Sequence, residues 1–109
     1  MAWVVRGDDV LCSVEVAGTA GKRARGLLGR DGFEGAILLP RCRSMHTLGM
    51  RFAIDVAFLG GSGEVVDLVT PMRPWRLGHL RVGARQVLEA EAGAFAAWKV
   101  TVGDVLEIR

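Results

Sequence analysis

Apolar and polar residues alternate along several short segments of this chain, and this period of two is typical of β-strands. The alternation is present at residues 2–6 and 10–17, on either side of a Gly-Asp-Asp turn. In the second segment Val10 and Val14 fall on one face, and Ser13 and Glu15 fall on the other. The pattern therefore predicts a pair of half-buried strands at the start of the chain.

The clearest alternation covers residues 51–59. One face carries Phe52, Ile54, Val56 and Phe58, and the other carries Ala53, Asp55, Ala57 and Leu59. A Gly-Gly-Ser-Gly turn at 60–63 predicts a hairpin with residues 64–70. A four-residue loop places Asp55 opposite Leu68, so we expect its carboxylate to lie in a shallow hollow between small alanines.

Further strands are predicted at 36–39, where an apolar run ends at Pro40, and at 85–92 and 105–108. Helical spacing predicts one principal helix at about 19–29 and one short helix at about 93–99. The fold class is therefore mainly β, at the border with α+β. We expect a small antiparallel barrel or sandwich.

A chain of 109 residues, half of them hydrophobic, predicts a single domain spanning 1–109 with its own core. No apolar run reaches the roughly 20 residues that a membrane helix needs. The first residues lack the basic and apolar regions of a signal peptide. We therefore expect a cytoplasmic protein with no membrane partner.

Twelve of the fourteen basic residues are arginine, although the net charge is only +2. Arginine suits bidentate contacts with carboxylate or phosphate. Seven arginines lie in the middle of the chain, at positions 41, 43, 51, 73, 76, 81 and 85. A near-neutral net charge disfavours nucleic acid as a partner, because its binding depends on neutralising phosphates.

The two cysteines, Cys12 and Cys42, belong to no CxxC pair, and a cytosolic chain favours reduced thiols. Their separation in space is left open by the sequence. One histidine near one aspartate is too small a set for a metal site. We expect neither a metal nor a cofactor.

Residues 42–58 combine a thiol, an imidazole, a guanidinium and a carboxylate within an otherwise apolar segment. Buried polar groups need partners. His46 and Asp55 are candidates for a catalytic acid–base pair. Alternatively, both side chains bond only the backbone and stabilise the fold.

The candidate ligand-binding residues are drawn from this segment and from the irregular loop at 71–79, because long ordered loops are often functional. Trp75, with an arginine close on either side, offers a flat stacking surface beside two cations. The set comprises His46, Thr47, Arg51, Asp55, Arg73, Trp75 and Arg76.

The run HTLGMRFAIDVAFL at 46–59 resembles the signature of the family called domain of unknown function 192. Four further pieces agree in the same order: RGLLGR at 25–30, RPWR at 73–76, VLE at 87–89 and VGD at 102–104. The resemblance covers about residues 16–108 and implies a compact, mostly β single domain. It implies no known activity.

The leading functional hypothesis is a non-catalytic module that binds a small anionic or sugar-like molecule in a polar pocket. One alternative is a hydrolase or lyase that uses His46 and Asp55 as its acid–base pair. Another is a structural or protein-interaction domain. Oligomeric state stays open.

Overall fold

The computed structural model describes residues 2–17 and 34–109 of the chain. The strands of this part are β1 (Ala2–Arg6), β2 (Asp9–Val16), β3 (Ala36–Pro40), β4 (Ile54–Leu59), β5 (Val65–Met72), β6 (Gln86–Glu91) and β7 (Glu107–Ile108). The short helix α1 spans Ala94–Ala97, within the segment where the sequence predicts it. The principal helix predicted at 19–29, with the RGLLGR motif, lies outside the described residues.

The seven strands form one sheet in the order β5-β4-β6-β3-β2-β1-β7. β2 and β3 pair in parallel, and the other neighbours pair antiparallel. The segment before β7 also bonds to the start of β5, where Leu106 N donates to Gly63 O at 2.9 Å and Val65 N donates to Asp104 O at 2.8 Å. The sheet is therefore strongly curled, and the mainly β prediction is confirmed.

Both faces of the sheet are covered by apolar side chains. The first core cluster includes Leu38, Ala57, Leu88 and Phe95, and the second includes Ile37, Val56, Phe58 and Val87. Neighbouring residues of β3, β4 and β6 thus belong to opposite clusters, as expected for strands buried on both sides. The alternation predicted for 51–59 is confirmed, although β4 begins only at Ile54.

The first hairpin is less regular than its sequence pattern. Val14 is buried, but Val10 and Val16 are largely exposed. A register shift occurs between Val4 and Val5, so the alternation does not continue unchanged along the paired strands. Only the middle of β2 therefore contributes a buried apolar face.

The predicted register of the β4–β5 hairpin was wrong. Leu68 pairs with Ala57 rather than with Asp55. The turn is one residue longer than predicted, so that Leu59 pairs with Val65, and an irregularity between Phe58 and Leu59 shifts the two strands by one more residue. On its other side, β4 pairs with β6, where Asp55 lies opposite Ala90. Asp55 consequently lies on the same face of β4 as Ala57, and this face belongs to the first core cluster.

Candidate functional site

The Asp55 carboxylate is buried, with 1% of the residue exposed. Its Oδ2 accepts hydrogen bonds from Gly93 N at 3.0 Å and from Phe95 N at 3.1 Å. These two amides lie at the start of α1, where backbone N–H groups have no partner within the helix. Asp55 thus joins β4 to α1.

Burial raises the pKa of Asp55, because leaving water disfavours the charged carboxylate. The two backbone hydrogen bonds, from Phe95 and Gly93, oppose this increase. The two backbone hydrogen bonds explain why a carboxylate is buried here, and this structural explanation needs no substrate.

His46 is exposed, and its Nδ1 accepts a hydrogen bond from Leu48 N at 3.3 Å. Its neighbours in the chain, Met45 and Met50, pack with the second core cluster, whereas Asp55 faces the first. The hydrogen bonds of His46 and Asp55 therefore involve different parts of the fold. The structure lends the acid–base pair no support.

Residues 42–50, the first part of the polar segment 42–58, run beside residues 71–85, which include the predicted loop at 71–79. Backbone bonds join them at 2.8–3.0 Å: Cys42 N to Arg85 O, Arg81 N to Arg43 O, Gly78 N to Met45 O and Thr47 N to Arg76 O. An isolated bridge pairs His46 with Leu77. Together they form an irregular antiparallel ribbon, which we call the loop ribbon.

Thr47 is the most highly connected residue of the loop ribbon, and it is fully buried. Its hydroxyl donates to Arg73 O and accepts from Arg76 N at 3.0 Å. Its backbone oxygen accepts from Trp75 N at 2.9 Å. One threonine therefore holds the backbone of three of the candidate binding residues.

A cleft opens beside the loop ribbon, and its lining, among the described residues, includes three arginines and one histidine but no acidic residue. These are Arg73, Arg76, His79 and Arg81. Within residues 2–17 and 34–109, the guanidinium groups of Arg73 and Arg76 form no ion pair. We call this feature the cationic cleft.

The remaining side chains of the cationic cleft are apolar. Val69, Pro71 and Met72 at the end of β5 form one part, with Leu77 from the loop ribbon. The cavity volume is about 320 Å³, near the lower end of the range of roughly 300–1,000 Å³ that is usual for ligand pockets. Its size suits a small molecule.

Arg81 is held in place from several sides. Its Nε bonds to Asp67 Oδ2 at 3.0 Å, and its guanidinium carbon lies 4.1 Å from the centre of the Phe58 ring. It also donates to the backbone oxygen of His79. Since this cation is already oriented, an anion in the cleft would meet it without further loss of conformational freedom.

The cationic cleft contains some of the predicted ligand-binding residues and leaves out others. Arg73 and Arg76 line it. Thr47 is not a lining residue, but its hydroxyl bonds the backbone of both arginines. Trp75 is exposed beside these arginines, with a left-handed backbone at φ 61°. Arg51 is exposed in the bend before β4 and is not among the lining residues. Asp55 faces the first core cluster.

His79 and Arg81 were missing from the predicted ligand-binding set. Position in the loop gave some signal for His79, since it ends the segment 71–79. Arg81 is positioned by Asp67 in β5, and that pairing depends on the register of distant segments. The sequence analysis also did not single out Glu89. This residue is fully buried on the same face of β6 as Val87, and the only sequence feature that marked it was a carboxylate within an apolar strand.

Cys12 and Cys42 form no disulfide. Cys12 packs against the first core cluster, and burial raises its pKa to about 11. Cys42 Sγ donates to Ser44 O at 2.9 Å. Cys12 therefore has a packing role, and Cys42 has a local bonding role beside the second core cluster.

The described residues contain no group of three or more His, Cys, Asp and Glu side chains suited to a metal ion. No helix in the part of the chain that the structure describes is long and apolar enough to span a membrane.

Comparison with known proteins gives a consistent relationship. The family model DUF192, described as "Uncharacterized ACR", matches residues 3–108. A UPF0127 protein of Pyrococcus furiosus is 38% identical over 109 residues, covering 95% of this chain and 93% of its own. A UPF0127 protein of Pyrococcus abyssi is 38% identical over 99 residues, covering 86% and 84%.

The fold is also found among solved structures. A protein of unknown function from Novosphingobium aromaticivorans superimposes with a TM-score of 0.81 at 21% identity, covering 97% of this chain and 82% of that one. At this identity the likeness shows the fold alone. The match of the family model over nearly the whole chain is decisive, and the protein belongs to the DUF192 family.

Proposed function

We propose that this protein binds a small anionic molecule in the cationic cleft. The observation that carries the proposal is the lining: three arginines and one histidine, and no acidic residue among those the structure describes, line a cavity of about 320 Å³. Arginine presents several N–H donors in one plane, a geometry that matches carboxylate and phosphate oxygens.

The charge balance around the cleft supports an anion rather than a neutral sugar. Asp67 compensates only Arg81, at 3.0 Å. Within the described ranges, Arg73 and Arg76 have no carboxylate partner. A bound anion would supply the missing negative charge, and the buried hydroxyl of Thr47 fixes the backbone from which both arginine side chains extend.

The test is a titration of the ¹⁵N-labelled protein with inorganic phosphate, followed by NMR. We expect the Nε–H signals of Arg73 and Arg76 to shift together and to saturate at millimolar phosphate. The double variant Arg73→Gln/Arg76→Gln should lose at least about 1.4 kcal/mol of binding free energy, which is tenfold in affinity. Arg43→Gln is the matched control, because Arg43 is an exposed arginine of the loop ribbon outside the cleft lining.

An absence of phosphate-dependent shifts at these arginines would count against the proposal. So would a loss of binding free energy in Arg43→Gln that is half the loss in the double variant, because an equal loss for each charge removed would indicate attraction by net charge alone. Such results would favour the structural or interaction role, which the backbone bonding of Asp55 and Thr47 also fits.

A further inference from the structure

The cationic cleft has two chemically distinct parts. Arg73, Arg76 and Arg81 supply positive charge, whereas Val69, Pro71 and Leu77 supply apolar surface. A site for a fully polar anion such as phosphate alone has no use for an apolar floor. The two parts lie in one cavity, so a single ligand can contact both.

Leu77 is 75% exposed and lines the cleft. It is held there by backbone pairing with His46 and by the neighbouring bond from Gly78 N to Met45 O at 2.8 Å. The protein thus keeps a large aliphatic side chain in water, at the rim of a cleft. Its exposed surface would be removed from water by an apolar ligand, which is favourable.

The close approach of the loop ribbon depends on Gly78. A Cβ at this position would lie 2.6 Å from Met45 O and 3.4 Å from the end of the Met72 side chain. Glycine thus lets the two segments of the loop ribbon pair closely, and the Met72 side chain at the end of β5 is within ordinary contact distance. Residues of the loop ribbon and of the end of β5 line the same cleft, so the cationic and apolar parts adjoin.

From this arrangement we infer that the ligand is an amphipathic anion: an anionic head such as phosphate or carboxylate, joined to a short aliphatic or aromatic body. The inference rests on the proposed function and adds the ligand class. The head contacts Arg73 and Arg76, and the body lies against Leu77 and Val69. The same chemistry can come from a free molecule or from an anionic lipid.

The experiment is a calorimetric series with inorganic phosphate, methyl phosphate, butyl phosphate and hexyl phosphate. Each methylene that is buried should raise affinity by up to about fourfold, the ratio that the usual transfer free energy of a methylene gives. Hexylamine, which has the same body and a cationic head, should not bind. Equal affinity for inorganic and hexyl phosphate would overturn this inference while leaving the anion proposal intact, whereas failure of all four phosphates would overturn both.

Two exposed residues of the same loop provide a matched pair of variants. Leu77→Ser should remove most of the gain from the longer alkyl groups, and Val82→Ser should not, because Val82 is 78% exposed but outside the cleft lining. Because both side chains are in water, neither variant should impair folding. Equal behaviour of the two variants would overturn the assignment of Leu77.

Vesicles of phosphatidylglycerol distinguish the two sources of the ligand. Binding of hexyl phosphate without co-sedimentation on vesicles would assign the cleft to a free molecule. Leu77-dependent binding of both would assign the same chemistry to a lipid headgroup with part of its chain. Co-sedimentation without any alkyl-chain gain in solution would overturn the inference.

Discussion

The carboxylate of Asp55 lies 3.1 Å from the backbone nitrogen of Phe95, and this bond joins a central strand to the short helix. Phe95 is itself almost completely buried, in the first core cluster. The contact therefore anchors a core aromatic residue as well as the helix start. Asp55 bonds backbone here, as the structural alternative for this residue anticipated.

Replacing Asp55 with alanine should destabilise the protein strongly. The amides of Gly93 and Phe95 would lose their acceptor, and a buried unsatisfied donor costs about 1–3 kcal/mol. Asp55→Asn keeps an oxygen acceptor and should lose much less. Urea unfolding of both variants at neutral pH measures the difference, and similar losses in the two would contradict this role.

The same pair of variants has an expected pH dependence. Because burial raises the folded-state pKa of Asp55, the folded state favours the protonated form more than the unfolded state does. The stability that the protonated Asp55 contributes to the folded state is fully present below the ordinary pKa of 3.8 and is lost as pH rises through the folded-state pKa. The stability of Asp55→Asn relative to wild type should therefore improve as pH rises through that range.

Thr47 provides the second prediction, which concerns the cationic cleft. In Thr47→Val the Arg73 carbonyl and the Arg76 amide lose their hydroxyl partner, which should cost about 1–3 kcal/mol of unfolding free energy. Phosphate affinity should fall as well, since both arginines lose a support. Thermal unfolding and the NMR titration measure the two effects.

Thr47→Ser is the rescue variant because it keeps the hydroxyl, and Thr70→Val is the control at an exposed position in β5. If Thr47→Ser were as defective in phosphate binding as Thr47→Val, the hydroxyl would not be the group that positions the arginines.

Periodicity predicted the buried strands well because their alternation reflects physical burial. Residues 36–39 are apolar at every position, and residues 54–59 are apolar on both faces except at Asp55. The structure buries both faces of these two strands. The register of the β4–β5 hairpin was not predictable in the same way. The turn is one residue longer than the four-residue Gly-Gly-Ser-Gly pattern indicates, and the irregularity at Phe58/Leu59 adds a further shift that apolar alternation does not mark.

The candidate site was predictable only in part for a related reason. The loop predicted at 71–79 is irregular from residue 73 onward, where Arg73 and Arg76 line the cleft, but Pro71 and Met72 belong to β5. The orientation of Arg81 depends on Asp67 and Phe58, which come from two other segments. The partners of Asp55 are backbone amides, and the residue types in a sequence do not indicate which backbone amides a side chain will bind.

Gly78 gives a third prediction. Gly78→Ala should destabilise the loop ribbon, because the added Cβ would lie 2.6 Å from Met45 O, far inside ordinary contact distance. We expect a lower melting temperature and weaker phosphate binding. Gly83→Ala is the control: its Cβ would lie 4.0 Å from the nearest Val66 atom. Equal effects of the two substitutions would show that the close approach to Met45 is unimportant.

The final prediction concerns acid unfolding and the ion pair at the end of β1. Asp104 Oδ2 accepts from Thr101 N at 3.0 Å and from Arg6 Nη1 at 3.1 Å. The backbone bond from Thr101 is the largest cause that lowers the pKa of Asp104. Burial, the next largest cause, raises it, and the Arg6 side chain and the Thr101 hydroxyl lower it further. The unfolded state therefore takes up this proton first as pH falls.

Asp104 accordingly contributes stability above its ordinary pKa of 3.8, and that contribution is lost as pH falls through the lower folded-state value. Asp104→Asn should be less stable than wild type at neutral pH, and the difference should shrink towards zero in strong acid. Urea unfolding across this pH range measures it. Asp8→Asn removes the same formal charge from an exposed turn and should not reproduce the trend. A constant difference between wild type and Asp104→Asn at all pH values would contradict the linkage of this carboxylate to folding.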